Sequence, residues 1–166
     1  MSDFHLTKYF VDSVGCTDAK PVSTPSSGPL FQHCDLKEFD HSFNYCSAIG
    51  MFQYLGQNTR PNCSYAINAC SRHCIDPREP HAQAVKRIAR YMKDSLNEGI
   101  NFKPDLDSLV LDCHVDADYA GAWNLNDPED PSGVKSRTGF ILTFAGVPVL
   151  WKSKLQDCIA LSTMEA

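Results

Sequence analysis

The stretch LDCHVDADYAG, Leu111 to Gly121, places Asp112, His114, Asp116 and Asp118 at every second position. Successive side chains of a strand point to opposite faces. As a strand, the segment turns three carboxylates and an imidazole one way, and Leu111, Cys113, Val115 and Ala117 the other, the face expected to be buried. Such a row of hard oxygens is either a solvated face ending in a Tyr-Ala-Gly turn or the start of a divalent-metal site. A second group is CSRHC, where Cys70, His73 and Cys74 share one helical face. A structural zinc site needs four ligands, and no second cysteine pair at ligand spacing completes this one. Packed small thiols are therefore expected, with a small zinc-binding domain as the alternative. A third group is cationic. Lys86, Arg90 and Lys93 form a ridge with Arg87 beside it, opposite an apolar stripe of Val85, Ile88, Ala89, Met92 and Leu96. At 1.5 Å per helical residue the ridge is about 10 Å long. It is either a solvated face or a contact for a phosphate backbone.

These groups need elements to hold them. The chain has 166 residues, enough for one ordinary domain or two small ones. Its content of 43% hydrophobic and 21% charged residues is that of a soluble globular protein, and a net charge of −5 argues against a wholly basic binder. The first ten residues carry Asp3, His5 and Lys8 and no apolar core, so no secretory signal is expected. No apolar run is long enough to span a membrane. The expectation is an intracellular chain, in cytoplasm or nucleus and not secreted, with its eight cysteines as reduced thiols.

Residues 17–30, TDAKPVSTPSSGPL, read as an extended linker or surface loop. The preceding FHLTKYFVDSV is a short helix or a strand. From Asn44 the period is helical, through Tyr45, Ala48, Ile49, Phe52 and Leu55, with Gly56 as the stop. A second helix starts near Pro61. A third opens with Asp76 as N-cap and Pro77 at the first position. After Gly99 the period becomes two. Strands are expected at Leu109–Asp116, Thr138–Ala145 and Val147–Ser153, the last two joined by a tight turn at AGVP. Cys158–Leu161 is expected to continue the sheet. Arg137 opens the second strand and is a candidate phosphate contact or surface ion pair.

Longer motifs carry a resemblance. YCSAIGMFQYLGQNTRPNCSYAINACSR followed by PREPHAQAVKRIARYMK is similar to the segment after the catalytic palm in copia-type retrotransposon polyproteins. VDADYAG, KSRTGFILTFAGVPVLWKSKLQ and ALSTMEA resemble the N-terminal half of the RNase H domain that follows there, and FVDSVGCTDAKPVSTP resembles the tail of the reverse transcriptase. The resemblance implies an α+β or α/β chain: a helical connection segment, then a truncated RNase H-like mixed sheet. It divides the chain into a reverse transcriptase tail with its linker (1–30), the connection (31–105) and the RNase H-like half-domain (106–166). It implies that Asp116 and Glu165 are catalytic acids and metal ligands for Mg²⁺ or Mn²⁺ in the complete domain. The implied reaction is cleavage of RNA in an RNA–DNA hybrid, read by shape and 2′-hydroxyl contacts.

Phosphodiester hydrolysis needs an activated water and a stabilised leaving oxygen, and two Mg²⁺ ions about 4 Å apart supply both. On residue pattern alone STME is a capping box, with Ser162 as N-cap and Glu165 three residues on. His114 lies off the family's metal pattern and is treated as a neighbour. The family's polymerase acid motif does not occur here, and its further RNase H acids lie beyond Glu165. The expectation is a polyprotein fragment, inactive by itself, whose partners are the hybrid and the rest of the polyprotein. The alternative is a non-catalytic nucleic-acid-binding or interaction module that keeps the basic helix, with Lys86, Arg87, Arg90, Lys93 and Arg137 on phosphates.

Overall fold

The computed structural model describes residues 3–31, 35–121, 123 and 133–165. The described chain divides into two compact units, Met1–Ile100 and Asn101–Ala166. The first is helical, and the second carries the strands.

Helix α1, Phe4–Ser13, resolves the undecided first segment. Thr7, Phe10, Val11 and Val14 recur at helical spacing and are all buried. Helix α2, Tyr45–Asn58, starts where Asn44 accepts the Ser47 backbone N–H at 2.9 Å, an N-cap that satisfies one orphan donor. It does not stop at Gly56. A Cβ on Gly56 would meet Ile67 Cδ1 at 2.8 Å, so the glycine lets α2 approach its neighbour. A 3₁₀ turn at Pro61–Cys63 leads into that neighbour, α3, Ser64–Ser71.

Helix α4, Glu79–Asp94, begins later than Asp76-Pro77 predicted. The Asp76 carboxylate pairs with the Arg78 guanidinium at 2.8 Å rather than capping. Arg78 N–H instead donates to His81 Nδ1 at 2.9 Å. Glu79 N–H donates to Lys37 O at 2.8 Å, and Glu38 bridges Arg78, so a distant segment fixes the entry to this helix. At the other end, buried Arg60 donates to Ser95 Oγ at 3.1 Å and to Ser95 O, tying the segment after α2 to the C-cap of α4. The core lies where α1, α2, α3 and α4 meet, around Phe10, Phe52, Leu55, Val85, Ile88 and Met92. The Phe10 and Phe52 rings sit 3.8 Å apart, centroid to centroid.

In the second unit, β1 (Leu111–Asp118), β2 (Arg137–Phe144) and β3 (Val147–Leu155) form a three-stranded sheet in the order β1-β2-β3. Both pairings are antiparallel, so the parallel pairing that a mixed sheet requires is not found among the described strands. Strands joined by a two-residue turn can only pair this way. That turn is Ala145-Gly146, with φ of 49° and 76°, and it matches the predicted AGVP turn. The register slips between Leu142 and Thr143, opposite Pro148. Proline donates no ladder hydrogen bond, and here it lies on an edge strand at a bulge.

Two strand expectations need correction. Cys158–Leu161 forms bends rather than a fourth strand. The alternation along β1 is as predicted, but its apolar face is not buried: Leu111 is 62% and Val115 74% exposed. Burial needs a second layer, and no helix occurs among the described residues of this unit. No helix of the described residues is long and apolar enough to cross a membrane.

Candidate functional site

Register places the acid row. Asp112 stands opposite Thr143, His114 opposite Ile141, Asp116 opposite Gly139 and Asp118 opposite Arg137. Cross-strand partners share a face, so Asp116 faces a position with no side chain, and its carboxylate keeps open room on that side. Asp118 lies against the Tyr-Ala-Gly turn. A Cβ on Gly121 would meet the Asp118 carboxylate, the free end of an exposed side chain that would have to turn aside. Arg137 stands cross-strand from Asp118 and reaches Ser153 Oγ at 3.5 Å.

Glu165 lies in a turn, not at a helix start. Its Oε2 accepts the Leu161 N–H at 2.8 Å, while Glu165 N–H donates to Ser162 O at 3.1 Å. The carboxylate does reach back to a backbone donor, as a capping box requires, but one residue earlier than predicted. Among the described residues, no three His, Cys, Asp or Glu side chains gather to hold a metal. The donor chemistry of Asp116 and Glu165 suits Mg²⁺ or Mn²⁺, but two carboxylates are too few to position such ions. The described residues therefore do not by themselves fit a two-metal site.

The cysteine group packs as small apolar side chains. Cys70 is buried, and burial pushes its thiol up to about 12. Burial and the neighbouring Cys46 thiol push Cys74 up to about 11. Zinc binds thiolates, which these environments disfavour. The His73 ring stacks on His81 at 3.8 Å. His81 Nε2 donates to Phe31 O at 2.8 Å, and burial holds its pKa below the usual histidine range. With Nδ1 accepting from Arg78 N–H, His81 is a neutral structural group.

The cationic ridge has partners that local sequence could not reveal. Arg87 donates from Nε to Thr24 O at 3.1 Å and from Nη2 to Thr24 Oγ1 at 2.8 Å. Arg90 Nε donates to Lys20 O at 2.6 Å, and Lys93 Nζ to Ala19 O at 3.0 Å and to Thr17 O. Lys86 Nζ lies 5.7 Å from the centre of the Phe43 ring. Residues 17–24 thus form a strap, clamped along α4 by its cations. The one available signal was compositional: a Pro/Ser-rich segment leaves carbonyls without ladder partners, and a ridge of donors can take them. Replacing Arg90 and Lys93 together by Gln is expected to lower stability by about 1–2 kcal/mol, because these bonds are charge-assisted yet partly solvated. A urea titration checks this. A merely solvated ridge would shift stability by less than about 0.5 kcal/mol.

Comparison with known proteins decides the family. No family model and no solved structure matches the chain. The retrovirus-related Pol polyprotein from transposon TNT 1-94 of Nicotiana tabacum is 36% identical over 156 residues, covering 90% of this chain and 11% of its own length. The corresponding polyprotein from transposon RE1 of Arabidopsis thaliana is 36% identical over 169 residues, covering 98% of this chain and 11% of its own. The chain belongs to the copia-type retrotransposon Pol polyproteins. It spans about a ninth of the length of these Pol relatives. A secreted RxLR effector protein, number 161, of Plasmopara viticola is 34% identical over 121 residues, covering 73% of this chain and 79% of its own. Both units of the Pol segment fall within the RE1 match, because that match leaves only 2% of the chain uncovered.

Proposed function

We propose that this Pol segment joins the end of a reverse transcriptase region to the first strands of an RNase H-like module. The reaction of the module is divalent-metal-dependent cleavage of RNA in an RNA–DNA hybrid. Asp116 and Glu165 are two of its acids, and Mg²⁺ or Mn²⁺ is its ion. The observation that carries this is Asp116 in an alternating acid row on an antiparallel strand, cross-strand from Gly139, in a chain of Pol kinship. A strand gives a metal ligand the fixed backbone that loops lack.

Lys86, Arg87, Arg90, Lys93 and Arg137 are the proposed phosphate contacts. The hybrid is the nucleic-acid partner and the rest of the polyprotein the protein partner, within cytoplasm or nucleus. A second reading, a binding module without catalysis, draws support from the described residues, among which no three His, Cys, Asp or Glu side chains gather to hold a metal.

The 166-residue chain is expected to show no hybrid cleavage above background with either Mg²⁺ or Mn²⁺, because several correctly placed oxygens are needed to hold two ions. A cleavage assay with labelled RNA in the hybrid checks this, with Asp116→Asn as the control for contaminating nuclease. Turnover that disappears in the control would show that the chain needs no further acids.

A further inference from the structure

We infer that Thr24 is a phosphorylation site for a proline-directed protein kinase, and that Arg87 is the group that receives the phosphate. Thr24-Pro25 is the only place in the sequence where Ser or Thr directly precedes Pro. Proline fixes its own φ, removes an N–H and biases the residue before it toward extended backbone. An extended acceptor followed by proline is the local geometry such kinases take. Thr24 is exposed, in a strap segment without helix or strand, so no element has to open for a kinase to reach it.

The receiving group is already in place. Arg87 straddles Thr24, with Nε on its carbonyl oxygen at 3.1 Å and Nη2 on its hydroxyl at 2.8 Å. The hydroxyl in turn donates to Ser26 O at 3.0 Å. The kinase would move the γ-phosphoryl group of ATP to Thr24 Oγ1. One O–P bond forms and the bond to the β-phosphate oxygen breaks; ADP leaves, and the hydroxyl proton passes to the kinase's base. The product puts about −1.5 to −2 charges and three strong acceptors beside a guanidinium. The bond donated to Ser26 O would be lost with the hydroxyl proton, and the Arg87 guanidinium would meet anionic phosphate oxygens in place of a neutral hydroxyl. Arg90 and Lys93 hold the strap at Lys20, Ala19 and Thr17, so the modified residue stays against α4. Phosphorylation would thus fasten the strap and consume cationic donors on the ridge.

The test uses the full 166-residue chain, ATP and a proline-directed kinase, with a peptide of residues 17–30 as the acceptor control. Mass spectrometry should locate one phosphate on Thr24. Phosphorus NMR titration should then give a second phosphate ionisation at least about 0.3 pH units lower in the folded chain than in urea, since a nearby cation favours the dianion. In Arg87→Gln the phosphate should still be incorporated but the shift should disappear, while Arg87→Lys should retain part of it. Circular dichroism confirms that each variant is folded. The inference is overturned if the peptide is phosphorylated and the chain is not. It is equally overturned if the ionisation matches that in urea, or if Arg87→Gln leaves the shift intact.

Discussion

Truncating Phe52 to alanine is expected to destabilise the helical unit by about 3–5 kcal/mol. Phe52 is fully buried, and its ring meets that of Phe10 from α1 at 3.8 Å. Leu55, Val85, Ile88 and Met92 close the same core without exposure to solvent. Removing the ring forfeits its transfer free energy and leaves a cavity that several helices would have to close together. A domain with a total stability of about 5–15 kcal/mol can lose much of it this way. All four α-helices among the described residues lie in this unit, so helical circular dichroism during urea denaturation reads the effect directly. Tyr54, two residues along the same helix and 54% exposed, is the contrast. Tyr54→Ala should cost less than about 1 kcal/mol. Equal midpoints for the two variants would contradict the assigned core.

The helices were legible where their signal is periodic. Of the apolar stripe, Val85, Ile88, Ala89 and Met92 are buried in full because a 3.6-residue period turns those positions to one side, whereas Leu96 lies past the end of α4 and is half-buried. Their ends were less legible because the deciding partners are remote. Asp76 is chemically the better cap, yet the bond from Glu79 N–H to Lys37 O and the Arg78–His81 contact set the start of α4. Gly56 looked like a stop and serves instead as a contact surface for Ile67.

The ridge shows the same limit. Its spacing named Lys86, Arg87, Arg90 and Lys93 correctly as one face. No local rule could report that carbonyls some 70 positions earlier would occupy Arg90 and Lys93. In the second unit the alternation fixed which side chains share a face, since the period of a strand is two regardless of context. Whether a face is covered depends on other layers, which is why the apolar side of β1 was misjudged. Glu165 was named as reaching back to a backbone donor. It finds the Leu161 N–H, within a turn too short to carry a helix's nucleation cost.

Replacing Asp116 by asparagine is expected to remove at least about 10- to 100-fold of the hybrid-cleaving activity of a longer Pol polypeptide that contains this segment. Disrupted metal shells lose activity on that scale, and the amide that replaces the carboxylate carries no charge to hold Mg²⁺. Folding should survive. Asp116 is exposed and faces Gly139, and Asp112 and Asp118 share its face, so removing one charge relieves repulsion rather than breaking a contact. Stability should stay within about 0.5 kcal/mol of the parent. Hybrid affinity should change little, because the proposed phosphate contacts lie on other residues.

The most direct measurement is therefore the single-turnover rate of RNA cleavage in an RNA–DNA hybrid with saturating Mg²⁺. It compares that longer polypeptide with its Asp116→Asn variant at matched hybrid occupancy. A rate lowered by at least about 10- to 100-fold with binding retained is the predicted result. Cleavage by Asp116→Asn at the parent rate would contradict the assignment of the acid row on β1 as the metal-holding edge of this Pol segment.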